Sequence, residues 1–195
     1  MKRLLNTVMA LAAAIPLAGC LGSHPKAPTF WTVDAEGIAI AGEAVEAKCG
    51  VVPARVAEVK VRPPWDVPKL AVRRADGSVA FDPFNAFAAR PEALLKGVAE
   101  DVLASTGRYD VNAAMVGTNV TFSVVVTRLA LDCREEGVRK AEVALTLVAN
   151  RRGRLGAPST SAAKGSAYVD ARAGDYSRAF SRAFVAALND ALKDL

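Results

Sequence analysis

The chain has 195 residues, 52% of them apolar and 23% charged, with a formal net charge of +5. This length suits one domain with a substantial core, and the charge is too small for the joined basic field that nucleic acid requires. A single histidine, His24, near the start of the chain, excludes a Cys–His catalytic pair in its body and leaves no ligand-spaced zinc set.

Lys2 and Arg3 open the chain, and an apolar run from Leu4 to Gly19 follows, broken only by Asn6 and Thr7. The run is too short for the roughly 20 residues a spanning helix needs. Basic, apolar, then small residues is the layout of a secretory signal. The run closes on Leu17, Ala18, Gly19 and Cys20. "LAGC" resembles the bacterial lipobox, in which the cysteine sulfur receives a diacylglycerol and the chain is cut just before it. Residues 1–19 are thus expected to be a lipoprotein signal peptide and Cys20 the lipid attachment point. Loss of Lys2 and Arg3 with the signal lowers the net charge from +5 to +3. Gly22, Ser23, Pro25 and Pro28 make residues 20–28 a tether, and residues 29–195 are expected to form one domain.

Within that domain, residues 29–33 read as a short strand, and the Ala- and Gly-rich stretch to Pro53 gives no clear pattern. Ala57, Val59 and Val61 alternate with Glu58, Lys60 and Arg62, the mark of a half-buried strand. Pro63 and Pro64 end it, since proline lacks a backbone donor. Residues 69–81 predict a hairpin turning on Asp76-Gly77. Pro91 opens a helix whose stripe is Leu94, Leu95, Val98, Val102 and Leu103, with Gly107 as its C-terminal stop. Val120, Phe122, Val124 and Val126 share one side of a strand. Leu129 and Leu131 fall out of phase with them, which requires either a bulge near Thr127 and Arg128 or packing on the other side. Val143, Leu145, Leu147 and Ala149 mark a second strand and residues 161–169 a weaker third, together an antiparallel meander. Tyr176, Phe180, Phe184, Leu188 and Ala191 recur at helical spacing, with Asp175 as the expected N-cap. The order predicts an α+β domain, mainly an antiparallel sheet with two principal helices packed on one face.

Little in this sequence carries chemistry. "VGTNV" lacks the serine of a nucleophile elbow, and "GRLGAPST" has no lysine before its hydroxyls, so it is no phosphate loop. The acidic residues are scattered. No enzyme, metal or cofactor is expected. Cys49 and Cys133 are the pair that could form a disulfide after export, with two buried thiols as the other reading. Trp31 and Trp65 are candidate partner contacts that could equally belong to the core. Arg151, Arg152 and Arg154 sit at a turn, as solvated charges or as contacts for anionic headgroups.

Several of these features fall in one order. Val59, Val61 and Pro64 fit a "V-x-V-x-x-P" strand end. Pro68, Leu70 and Arg73 fit "P-x-I-V-x-R", with Ala71 where that pattern has valine. Phe87, Ala88 and Pro91 stand roughly at "W-A-x-P", with phenylalanine for tryptophan. With the lipobox, the meander and the "AF…AFVAALNDAL" helix, the chain resembles the ABC-type transport auxiliary lipoproteins, the PqiC-like family. The segment from Ala35 to Gly50 has no counterpart there. The resemblance implies a non-catalytic lipoprotein, anchored through acylated Cys20. It would dock by a sheet edge or face on an MCE-domain carrier that works with a permease and an ATPase on lipid or other hydrophobic cargo. Leu21 after the cysteine, with no aspartate, fits sorting to the outer membrane facing the periplasm. A lipoprotein assisting outer-membrane or lipopolysaccharide-transport assembly, or a structural envelope lipoprotein, is the alternative.

Overall fold

The computed structural model describes residues 26–36, 38, 51–111, 119–152 and 157–195. Eight strands and two helices are present among them: β1 (Thr29–Trp31), β2 (Val52–Val61), β3 (Lys69–Arg74), β4 (Val79–Phe87), α1 (Pro91–Ser105), β5 (Tyr109–Asp110), β6 (Val120–Cys133), β7 (Lys140–Arg151), β8 (Ser159–Asp170) and α2 (Tyr176–Lys193). Neither helix is long and apolar enough to cross a membrane.

All eight strands join one sheet, organised around β6. One edge of β6 carries β7 along its whole length, and β7 carries β8, both antiparallel. The other edge is shared. β2 runs parallel to residues 120–126 of β6, and β3 runs parallel to residues 131–133. β4 lies antiparallel to β3, β1 parallel to β4, and β5 parallel to β2. The sheet is therefore mixed, its long pairings antiparallel and its parallel pairings shorter. The expected α+β class holds. What the alternation could not convey is that β2 and β3 are two pieces laid end to end on one partner.

Two bulges set which side chains enter the core. The register of β2 slips between Val56 and Glu58, so Val56, Val59 and Val61 are buried while Ala57 is exposed. Strict alternation had placed Ala57 inside; the extra residue reverses its side. The register of β6 slips between Val126 and Arg128. Leu129 and Leu131 consequently bury in the same cluster as Val124 and Val126, which decides the phase change in favour of a bulge.

α1 packs on β2, α2 lies across β7 and β8, and the helices touch. Their apolar faces and one face of the sheet form a single cluster. It contains Leu95 and Val102 from α1, Phe122 and Val124 from β6, Leu145 and Leu147 from β7, and Phe180, Phe184 and Leu188 from α2. Edge-to-face ring contacts join Phe87 to Phe180 at 5.4 Å and Tyr109 to Phe122 at 4.9 Å. Gly107 has φ +66° and its N–H reaches the Ala104 carbonyl, closing α1 as expected. Asp175 stands at the N-cap position of α2, but its side chain makes no capping bond. α2 approaches β8 so closely that a Cβ on Gly165 would collide with the Ala187 carbonyl oxygen.

Candidate docking surface

Among the described residues, no helix packs on the second face of the sheet. Strand register assigns its side chains. Glu142 of β7 pairs with Ala130 of β6 and Tyr168 of β8, and Arg73 of β3 pairs with Val79 of β4. Phe81 pairs with Ala71, and Ala71 and Ala130 are buried yet stand outside the helix-side core. These residues therefore share the face opposite the helices.

At its centre is a carboxylate enclosed by cations. Glu142 is 1% exposed. Its Oε2 accepts a 2.6 Å bond from Arg73 Nη1, and its Oε1 accepts 2.7 Å bonds from Arg128 Nη1 and from the Tyr168 hydroxyl. Four strands are thus tied through one side chain. Burial by itself would raise the Glu142 pKa, but the bonds from Arg73, Tyr168 and Arg128 prevail and hold it below the ordinary glutamate value. The same bond, with burial, raises Tyr168 above the usual phenol value. Beside this cluster Arg134 grips Asp132 through two bonds of 2.9 and 2.7 Å. An open depression of about 660 Å³ adjoins them, lined by Asp132, Arg134, Glu135, Val138, Lys140 and Tyr168. Glu142 has donors on both oxygens and lies out of solvent, so it is suited to fixing the face rather than to accepting a proton from a substrate.

The face also displays apolar groups. Phe81 and Val79 are exposed on β4 and Tyr168 on β8. Phe30 of β1 pairs with Ala86, away from Trp31 and Phe87 on the helix side.

The residues singled out in the sequence do not converge. Trp31 is half-buried at the sheet margin, its Nε1 donating to Asn85 Oδ1 at 2.9 Å and its ring meeting Tyr176 at 5.4 Å. Trp65 packs half-buried against the core from the turn between β2 and β3. Arg151 closes the far end of the meander: Nη1 donates to Ser161 Oγ at 2.8 Å and Nη2 to the Leu195 carbonyl at 3.2 Å. Arg152 is exposed, its backbone N–H held by the Asn119 carbonyl. Cys133 is half-buried on β6, its thiol raised chiefly by burial and without a sulfur partner among the described residues. Cys20, Cys49 and Arg154 lie outside the described residues, and with Cys49 so does the expected Cys49–Cys133 disulfide. Among the described residues no three His, Cys, Asp or Glu side chains form a metal-sized group.

Glu142 and Tyr168 were not legible as a pair in the sequence. Glu142 occupies an outward position in "AEVALTLVAN", where a charge reads as solvated. Only register brings Arg73, Arg128 and Tyr168 over it.

No protein-family model and no curated protein matches the chain. Solved structures do. Protein XCC0632 from Xanthomonas campestris, described as of the DUF330 family, aligns at TM-score 0.52 and 15% identity over 83% of this chain and 86% of its own. An uncharacterized protein aligns at TM-score 0.62 and 10% identity, over 88% of this chain and 99% of its own. At these identities the likeness is one of fold.

Proposed function

We propose that the chain is a membrane-tethered, non-catalytic lipoprotein, the auxiliary part of an ABC/MCE-type system that moves lipid or other hydrophobic cargo across the cell envelope. The observation that carries this reading is the N-terminus: a basic start, a short apolar run, and Leu17-Ala18-Gly19-Cys20. Acyl chains on one cysteine add roughly 0.8 kcal/mol per buried CH₂, which holds a domain at a bilayer without any spanning helix. The α+β fold supports it too. Helices cover one face of the sheet, and the other offers a rigid, partly apolar surface braced by Glu142. A carrier protein docked beside that surface would be positioned by tethering, with no bond made or broken. The envelope location follows from the signal, and Leu21 favours the outer membrane facing the periplasm.

The test is co-purification of the acylated protein from membranes. An MCE-domain carrier with its permease and ATPase is the expected partner set. Recovery of only a β-barrel protein would contradict the reading.

A further inference from the structure

The β1–β4 margin of the open face differs from the rest of the surface. Phe30 is 63% exposed, and Phe81 and Phe84 are each 41% exposed. Phe81 and Phe84 lie on β4 and Phe30 on β1, the strand paired with it, and exposed phenyl rings on adjoining strands mark a surface that something covers. Lys26 and Lys69 border them and are exposed: Lys26 Nζ lies 5.5 Å from the Phe84 ring centre, and Lys69 pairs with Ala86, the residue opposite Phe30. Asp82 also lies here, but its carboxylate is engaged by the Phe84 and Asn85 N–H groups and by Asn85 Nδ2 at 2.8 to 3.0 Å. These neutral donors leave Asp82 its charge, and the two lysines outweigh it, so the margin is net positive.

Chain length says what covers this patch. Lys26 follows Cys20 by six residues and Phe30 by ten. Fully extended, those segments reach at most about 20 and 35 Å. Granted that Cys20 is lipidated, which rests on the reading above, the aromatic margin is the first folded surface the bilayer meets. Phenyl rings flanked by lysines match a headgroup layer, where rings enter the acyl boundary and ammonium groups stay with phosphates. The basic turn at Arg151 is placed elsewhere. It pairs with Val120 at the far end of β6, eleven residues or roughly 35 Å along the strand from Leu131, where β3 first pairs with β6. We infer that the patch of Phe30, Phe81 and Phe84, with Lys26 and Lys69 at its border, rests on the anionic headgroup layer of the membrane that anchors the chain. The domain then lies with its sheet margin down, which fixes which way the Glu142 surface faces a carrier.

The experiment places the acylated full-length protein in vesicles of phosphatidylethanolamine with one-quarter phosphatidylglycerol, some chains brominated near the headgroup. Tryptophan quenching is compared for Phe30→Trp and for Arg182→Trp on the exposed side of α2, each against the parent. Quenching several-fold stronger at position 30 is expected. Equal or absent quenching, with the protein still floating with vesicles, would overturn the patch and leave the anchor standing. Failure to float would instead overturn the anchor. Direct vesicle binding then decides the patch: a loss on the order of tenfold in Phe30→Ser/Phe84→Ser supports it, and no loss overturns it. Loss of a co-purifying protein in that double variant, without lipid quenching at position 30, would assign the patch to a protein and overturn the lipid proposal.

Discussion

Glu142 fixes more of the open face than any other single residue. Its buried carboxylate neutralises Arg73 and joins Arg128 and Tyr168 to the same point. Replacing it by glutamine leaves two guanidiniums without their counter-charge. Glu142→Gln is expected to cost roughly 1.5 to 3 kcal/mol, the range for hydrogen bonds to charged groups, measured by urea unfolding at neutral pH. The sign with pH follows from its lowered pKa. A carboxyl titrating lower in the folded than in the unfolded state stabilises above the ordinary glutamate value of 4.5. That contribution fades as pH falls through the folded value. The parent is thus expected to lose stability below about pH 4.5 more steeply than Glu142→Gln; parallel curves would contradict the assignment. Gly165 is a second decisive position. An added methyl meets the Ala187 carbonyl with no flexible side chain to yield, so Gly165→Ala is expected to cost about 1 to 3 kcal/mol in the same assay.

Among the elements, α2 closes the core. It lies across β7 and β8 with Tyr176, Phe180, Phe184 and Leu188 buried, Tyr176 against Trp31 and Phe180 against Phe87. Four such side chains at roughly 1.5 to 3 kcal/mol each amount to much of a domain's stability of about 5 to 15 kcal/mol. A chain ending at Asp175 is expected to show no cooperative melt in circular dichroism; a transition like the parent's would remove α2 from the core. This helix was plain in the sequence because five apolar residues kept one period. The meander and the Asp76-Gly77 hairpin were plain for the same kind of reason, strict alternation and a turn pair. The parallel pairings were not, since β2 and β3 meet β6 across more than fifty residues and alternation carries no information on partners. The Ala57 reversal was hidden because a bulge shifts phase without changing composition. The N-cap bond at Asp175 failed for a geometric reason: the residue stands in place with φ −132° and ψ 30°, outside the usual extended N-cap geometry.

For the molecule as a whole, the proposed account runs from anchor to surface. In that proposal, acylated Cys20 would hold the short tether, the tether would bring the Phe30 margin to the headgroups, and the Glu142 face would be presented sideways to a carrier. The proposed anchor rests on a local motif, Leu17-Ala18-Gly19-Cys20, read from the sequence alone. The open face was the least legible part, because its charges and aromatics come from six strands and converge only after folding. Everything proposed for the membrane depends on the chemistry of one cysteine. Mass spectrometry of the N-terminal peptide from protein extracted from bacterial membranes tests that most directly. The account predicts a chain beginning at Cys20 with a diacylglycerol on its sulfur, and loss of both the lipid and the cut in Cys20→Ser. Membrane-extracted protein that retains residues 1–19, or that begins at Cys20 without lipid, would contradict it.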